Sequence, residues 1–200
     1  MLLRREPAFA SAVMAELMPP TLAATPLTGC DHVGMSALQK EELLAEAVRL
    51  REQGHPEQAR ERLLSLTAAF PEAADVAYQT AWVHDVLGLE AEAVPYYERC
   101  LQGDGLTDED RRGALLGLGS TYRVLGRFGQ AVETLRRGVS EFPDDGALRT
   151  FLSMALFNTG EHHEAMQLLL RLVATTSDSP RVRRYRPAIE HYAADLTRTM

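Results

Sequence analysis

The chain has 200 residues, of which 46% are hydrophobic and 24% charged, a composition typical of a globular protein with one continuous core. Its net charge of −7 is uneven, because residues 180–200 carry +3, residues 1–36 carry −1 and the block between them carries −9. Phosphate binding depends on clustered positive charge, so the acidic block argues against nucleic acid as the main partner, and none is expected. No apolar run approaches the ~20 residues that span a bilayer, and we expect no membrane partner.

Residues 1–36 show no sustained hydrophobic period, and we interpret them as a disordered or mis-assigned extension that precedes a domain at 37–200. Met35 is a candidate for the true start. Leu27-Thr-Gly-Cys30 resembles a lipoprotein cleavage box, but a glutamate and three prolines interrupt the stretch before it, so the signal is weak. Cys30 lies in this leader and Cys100 in a predicted buried helix position. No disulfide framework is therefore expected, and the cysteines favour a cytoplasmic protein.

Four short segments repeat along the rest of the chain, each with a glycine followed five residues later by an alanine. The glycines are 34, 38 and 34 residues apart. A period near 34 predicts stacked helical hairpins, and glycine suits each turn because it adopts a left-handed conformation without strain. The four segments are 51–59, 86–93, 124–131 and 158–165.

Placing each hairpin glycine at position 15 gives four repeats, each with an A helix, a turn and a B helix. Positions 8 and 20 then hold only small residues, which would let paired helices approach closely. In the four residues inserted before repeat three, acidic residues follow Thr107, which predicts an N-cap and about one extra helical turn. The repeats are 40–73, 74–107, 112–145 and 146–179.

A final helix is predicted at about 184–197, after repeat four. Its apolar residues Tyr185, Ile189, Tyr192 and Leu196 are spaced by four, three and four, which places them on one helical face. We expect this face to cover the apolar side that repeat four would otherwise expose.

From Lys40 onwards, over about 160 residues, the chain resembles the tetratricopeptide repeat (TPR) family, and its tail after repeat four resembles stand-alone bacterial four-repeat proteins of unassigned function. The resemblance implies an all-α, right-handed stack of four hairpins with a C-terminal capping helix. It also implies a non-catalytic protein–protein interaction module or scaffold, whose concave groove binds a peptide or partner protein. The carboxylate clamp of co-chaperone members is rejected, because its positions hold no basic residue. Those positions are Leu44, Val48, Gln79, Gly113 and Gly117.

The A-helix positions that line the groove in this family supply the candidate binding residues. We expect Trp82 and Phe157 to anchor apolar side chains of a peptide, and Arg123 to hold a carboxylate or a backbone carbonyl. The alternative is that Trp82 and Phe157 pack between neighbouring A helices. The full set is Tyr78, Trp82, Asp85, Ser120, Arg123, Phe157 and Asn158.

The sequence offers no pattern for catalysis, a cofactor or a metal. His162 and His163 are adjacent on a helix and point about 100° apart, so they share one metal poorly. His84 takes a large apolar position in repeat two and is interpreted as a packed or groove-edge residue. The arginines at 181–186 are interpreted as a solvated run that pairs with nearby acids. Self-association into a homodimer through the same helical surfaces stays open as an alternative function.

Overall fold

The computed structural model describes residues 36–197, and the regular structure in that range is entirely α-helical. Consecutive helices form pairs that are joined by short turns. The nine helices of this range are α1 (Ala37–Glu52), α2 (Pro56–Ala69), α3 (Ala74–Val86), α4 (Glu90–Gln102), α5 (Asp108–Val124), α6 (Phe128–Glu141), α7 (Gly146–Thr159), α8 (His162–Thr176) and α9 (Pro180–Ala194). The predicted all-α repeat fold is therefore confirmed. In the same range, no helix is both long and apolar enough to cross a membrane.

A glycine with positive φ makes the turn of each hairpin, as the repeat pattern predicts. The φ angles are 80° at Gly54, 70° at Gly88, 74° at Gly126 and 87° at Gly160. An L-residue with a side chain rarely adopts these angles, so the glycine at this position is what allows the B helix to fold back so tightly.

The chain divides into two compact units, Met1–Ala114 and Leu115–Met200, and the division falls inside α5. In the described part of the first unit, α1 pairs with α2, α2 packs on α3, and α3 pairs with α4. Its core has buried members from α1, α2 and α3. They are Ala47, Ala59, Leu63, Leu66, Val76 and Val83. In the second unit, α6 packs on α7, α7 on α8, and α8 on α9.

The small residues at repeat positions 8 and 20 are buried throughout, which confirms their predicted packing role. Position 8 holds Ala47, Ala81, Gly119 and Ser153, and position 20 holds Ala59, Ala93, Ala131 and Ala165. Gly119 shows how close the helices come, because a Cβ placed there would lie 2.4 Å from Cγ of Leu135. The backbone of α5 thus packs directly against the leucine side chain of α6.

The insertion before repeat three lengthens α5 as expected. This helix has 17 residues, whereas α3 has 13 and α7 has 14. The Asp110 N–H donates to the Thr107 hydroxyl over 3.1 Å, so Thr107 acts as the predicted N-cap.

The last helix differs from the sequence prediction in position and in orientation. It begins at Pro180, four residues before the predicted start, and ends at Ala194, three residues before the predicted end. Proline is favoured in a first helical turn, where its missing N–H has no partner to lose. Pro187 consequently lies inside the helix and not in its first turn.

The predicted apolar face of α9 is not the face that packs on α8. Tyr185 is 61% exposed and Tyr192 47% exposed, whereas Ala193 is fully buried. Two polar contacts accompany this rotation. The Arg186 Nε donates to the Ala174 carbonyl over 2.6 Å, and the Gln167 amide donates to the Ala194 carbonyl over 3.0 Å. Arg186 thereby satisfies a carbonyl near the C-terminus of α8 that lacks a helical partner, which favours the orientation with Arg186 towards α8.

Candidate functional site

The seven predicted groove residues lie on three A helices that belong to two units of the chain. Tyr78, Trp82 and Asp85 are on α3 in the first unit, and the others are on α5 and α7 in the second. Their exposures differ widely, from 1% at Tyr78 to 64% at Phe157.

Tyr78 and Trp82 are packed side chains of the first unit. They are 1% and 9% exposed, and their ring centroids are 5.8 Å apart. The guanidinium of Arg51, from α1, covers the Trp82 ring with its central carbon 3.4 Å from the centroid. Arg51 also donates to the Gln79 side-chain oxygen. Burial lowers the pKa of Arg51 to about 10, so the group remains a cation at neutral pH.

Asp85 lies one turn beyond Trp82 on α3 and is half-buried. It accepts a hydrogen bond of 2.8 Å from the Tyr97 hydroxyl of α4. Burial, together with the nearby Asp85 charge, raises the pKa of Tyr97 well above its usual range. This contact joins the two helices of the hairpin, and the Asp85 carboxylate is engaged within the protein.

In the second unit, the predicted residues on α7 are exposed. Phe157 is 64% exposed, the highest value for any large hydrophobic residue in the described range, and its ring centroid is 4.7 Å from that of His162. Met154, one turn earlier, is 38% exposed, and Asn158 is also exposed. The surface of α7 therefore presents an aromatic ring, a thioether and an amide to solvent.

The predicted residues on α5 are less exposed. Ser120 is 7% exposed. Arg123 is half-buried, and its buried Nε has no hydrogen-bond partner in the described part of the chain. Val124, the next residue, is 45% exposed.

Arg51 is the residue that the sequence interpretation missed, although the repeat frame contained the signal. It stands at position 12 of repeat one, the position that Asp85, Arg123 and Phe157 occupy in the later repeats. That position faces the groove in the repeat frame.

His84 is packed inside the first unit, which confirms one of the two predicted roles. It is 2% exposed, and its ring stacks on Tyr96 with centroids 5.2 Å apart. Its Nδ1 is 2.7 Å from the Thr80 carbonyl, and Nε2 accepts a 3.1 Å hydrogen bond from Arg60 Nε. Burial lowers the pKa of His84, so the neutral ring with the proton on Nδ1 satisfies both contacts.

The metal-ligating side chains and the one described cysteine are placed as follows. Within residues 36–197, no set of three or more His, Cys, Asp or Glu side chains is placed to hold a metal ion. The Cys100 thiol is fully buried and donates to the Tyr97 carbonyl over 3.1 Å. Burial raises its pKa to about 12, which keeps it protonated and a poor nucleophile.

A family model described as tetratrico peptide repeat matches residues 74–196, which include α3 to α9. The hairpin of α1 and α2 lies outside the matched range. No curated protein matches the sequence significantly.

Proposed function

Because the chain belongs to the tetratrico peptide repeat family, we propose that it is a non-catalytic interaction module that binds a peptide segment of a partner protein through exposed A-helix side chains. The family itself is associated with protein partners. What we propose for this chain is that its partner supplies a peptide segment, and which residues contact that segment.

The exposure of Phe157 is the observation that supports this proposal most strongly. An aromatic ring that is 64% exposed leaves a large apolar area in water, and Met154 adds to it one turn away. Aromatic residues are enriched among the side chains that dominate interface energies, because they bury much area at a small entropic cost. Phe157 is therefore the expected anchor, and the Asn158 amide beside it can pair with a peptide backbone.

Arg123 supplies the polar part of the proposed contact. Its buried Nε lacks a partner among the described residues, and an unsatisfied buried N–H is energetically costly. The Nε has almost no accessible surface, so a carboxylate or a backbone carbonyl of a bound peptide would pair with it once this half-buried side chain turns outwards, in a charge-assisted hydrogen bond. The exposed Val124 beside it offers an apolar contact.

Trp82 has a different role in the proposal from the one that the sequence favours. At 9% exposure beneath the Arg51 guanidinium, it has little surface to offer a peptide. Its burial favours the alternative interpretation, in which the ring packs between neighbouring A helices, here with Arg51 of α1 against it. Tyr78 and Ser120, which are also buried, are expected to support the fold.

The test starts with peptides selected for binding to the purified full-length chain from a random display library. Their affinities are then measured by calorimetry for the wild type, Phe157→Ala and Tyr185→Ala. The last variant is the matched control, because Tyr185 is 61% exposed but lies on α9. We expect Phe157→Ala to weaken binding about tenfold or more, a typical loss for an interface anchor, and Tyr185→Ala to leave it unchanged.

Arg123→Gln provides an independent measurement, since it removes the charge and keeps much of the side-chain volume. We expect it to weaken peptides that carry a carboxylate more than those that do not. Equal affinities for the wild type, Phe157→Ala and Arg123→Gln, with circular dichroism showing all three folded, would contradict the proposed site.

A further inference from the structure

One side of the α8–α9 pair exposes four large side chains in two stripes. On α8, Met166 is 49% and Val173 46% exposed, and on α9, Tyr185 is 61% and Tyr192 47% exposed. Within each helix the two residues are seven positions apart, which is about two turns and places them on one face. These four residues are called the end face below.

Both stripes lie on the same side of the helix pair. The helices are antiparallel, since Gln167 near the start of α8 bonds to Ala194 at the end of α9, and Ala174 bonds to Arg186. On α8, Met166 and Val173 each come one residue before a residue that faces α9, namely Gln167 and Ala174. On α9, Tyr185 and Tyr192 likewise come one residue before Arg186 and Ala193, which face α8. One residue corresponds to a rotation of about 100° around the helix axis, and because the two helices run in opposite directions, this rotation points both pairs of side chains to the same side. The four residues of the end face therefore lie on one side of the α8–α9 pair.

The first unit shows how this fold treats such a surface. There, Leu63 and Leu66 of α2 are fully covered because Val76 and Val83 of the following helix pack on them. No described helix follows α9 to cover the end face. The end face therefore leaves apolar side chains in water, whereas the corresponding side chains of α2 are buried under the next helix.

The charges beside the end face indicate the chemistry of its occupant. Arg181 lies one turn before Tyr185 on the same stripe, and Arg184 is adjacent to Tyr185. Both arginines are exposed, and neither forms a hydrogen bond or an ion pair with a described residue. A helix that covers this surface would be favoured by acidic residues around an apolar centre.

The outer side of α1 has this chemistry. Leu38 is 61% exposed, and the exposed Glu41 and Glu42 that follow it have no ion-pair partner in the described range. A shallow concavity on this side is lined by Gln39, Glu42, Leu43 and Glu46 together with the basic Arg49. The first described helix thus exposes two glutamates beside an apolar side chain, and the last exposes two arginines beside the end face.

We propose that the end face of one chain binds the outer side of α1 of a second copy, head to tail. The opposite arrangement, in which two end faces meet, would bring Arg181 and Arg184 of both copies together and is disfavoured by like-charge repulsion. In the head-to-tail arrangement each end arginine meets Glu41 or Glu42. The contact is heterologous, so further copies add until the assembly closes into a ring or continues as a chain. The contact is defined by residues other than those of the proposed peptide site.

The experiment reverses the charges on each surface in turn. One variant carries Arg181→Glu and Arg184→Glu, and the other carries Glu41→Arg and Glu42→Arg. Sedimentation equilibrium from micromolar to near-millimolar concentration gives the mass of each variant alone and of an equimolar mixture. We expect the wild type to self-associate and each variant alone to have the mass of a single chain. The mixture should associate again, because each reversed surface then meets its complement.

Two further variants separate the end face from other surfaces. Tyr185→Ser with Tyr192→Ser should reduce association to a single chain, whereas Phe157→Ala should associate like the wild type. All substituted side chains are exposed, so circular dichroism is expected to show unchanged folding. A wild type that stays a single chain throughout, charge variants that associate like the wild type, or a mixture that fails to reassociate would each overturn the proposal.

Discussion

The guanidinium carbon of Arg51 lies 3.4 Å from the centroid of the Trp82 ring, so that a cation from α1 covers an aromatic ring from α3. Arg51 is 8% exposed, and the Gln79 side chain accepts one of its hydrogen bonds. Burial lowers its pKa to about 10, which means that the protein keeps a desolvated positive charge at neutral pH. The negative face of the indole ring offsets part of that cost, because cation–π attraction is strongest when water is excluded.

Removing this ring is the first prediction. Trp82→Ala is expected to lower the free energy of unfolding by about 3–5 kcal/mol, since it creates a cavity and leaves Arg51 without its π partner. Trp82→Phe keeps an aromatic face and is expected to cost less. Urea denaturation monitored by circular dichroism measures both variants. A loss below ~1 kcal/mol for Trp82→Ala would show that the ring is not a packed element of the first unit.

The Arg51–Trp82 pair also shows what the sequence could predict and what it could not. The hairpin period correctly located the helices around Gly54 and Gly88. The same pattern assigned Trp82 to a groove position but could not predict how exposed its side chain is, because the exposure depends on which side chains of the neighbouring helix cover it. Arg51 covers the indole ring from α1, about thirty residues earlier in the chain, and helical periodicity carries no information on such a contact.

Gly119 provides the second prediction. Gly119→Ala is expected to lower the free energy of unfolding by about 1–3 kcal/mol, because its Cβ would lie 2.4 Å from Cγ of the fully buried Leu135. Gly129→Ala is the matched control on α6, where a Cβ would meet nothing within 4 Å. That control is expected to be neutral or to stabilise by about 0.4–1 kcal/mol, through reduced freedom of the unfolded chain. Thermal or urea unfolding compares the two, and equal effects would contradict the close packing of α5 on α6.

The orientation of α9 marks another limit of the sequence. The spacing of Tyr185, Ile189 and Tyr192 correctly indicated a helix, and Ile189 is half-buried. The apolar pattern nevertheless predicted that both tyrosines would face inwards. Arg186 instead faces α8, where it donates hydrogen bonds to carbonyls at the end of that helix. A hydrophobic pattern treats arginine simply as a polar residue and so places it on the solvent side.

His84 gives a prediction on pH. Because burial lowers the pKa of His84 below its unfolded value of about 6.5, the unfolded chain binds its proton first as the pH falls. The free energy of unfolding should therefore decrease below about pH 6.5, with a slope of at most ~1.4 kcal/mol per pH unit, and level off once the folded ring is also protonated. Protonation is opposed at Nε2 by Arg60, while Glu92 partly favours it.

The measurement is the free energy of unfolding of the wild type minus that of His84→Gln between pH 7.5 and pH 5. Groups common to both proteins cancel in this difference, including the exposed His55, His162, His163 and His191. We expect the difference to fall with decreasing pH. A difference that is constant or rises would show that the imidazole is not held in its neutral form.

The attachment of α9 gives the last prediction. Arg186 Nε donates to the Ala174 carbonyl over 2.6 Å, and its Nη2 to the Thr175 carbonyl over 3.4 Å, so this side chain ties α9 to the end of α8. Arg186→Met keeps the aliphatic stem and removes the donors, and it should raise amide hydrogen exchange across α9 by about fivefold to thirtyfold, equivalent to ~1–2 kcal/mol of local stability. Arg184→Met on the same helix is the control, since Arg184 is exposed and without a described partner. If both variants exchange like the wild type, these two hydrogen bonds do not hold the helix, and the packing of Ala193 and the Gln167–Ala194 hydrogen bond must account for its position.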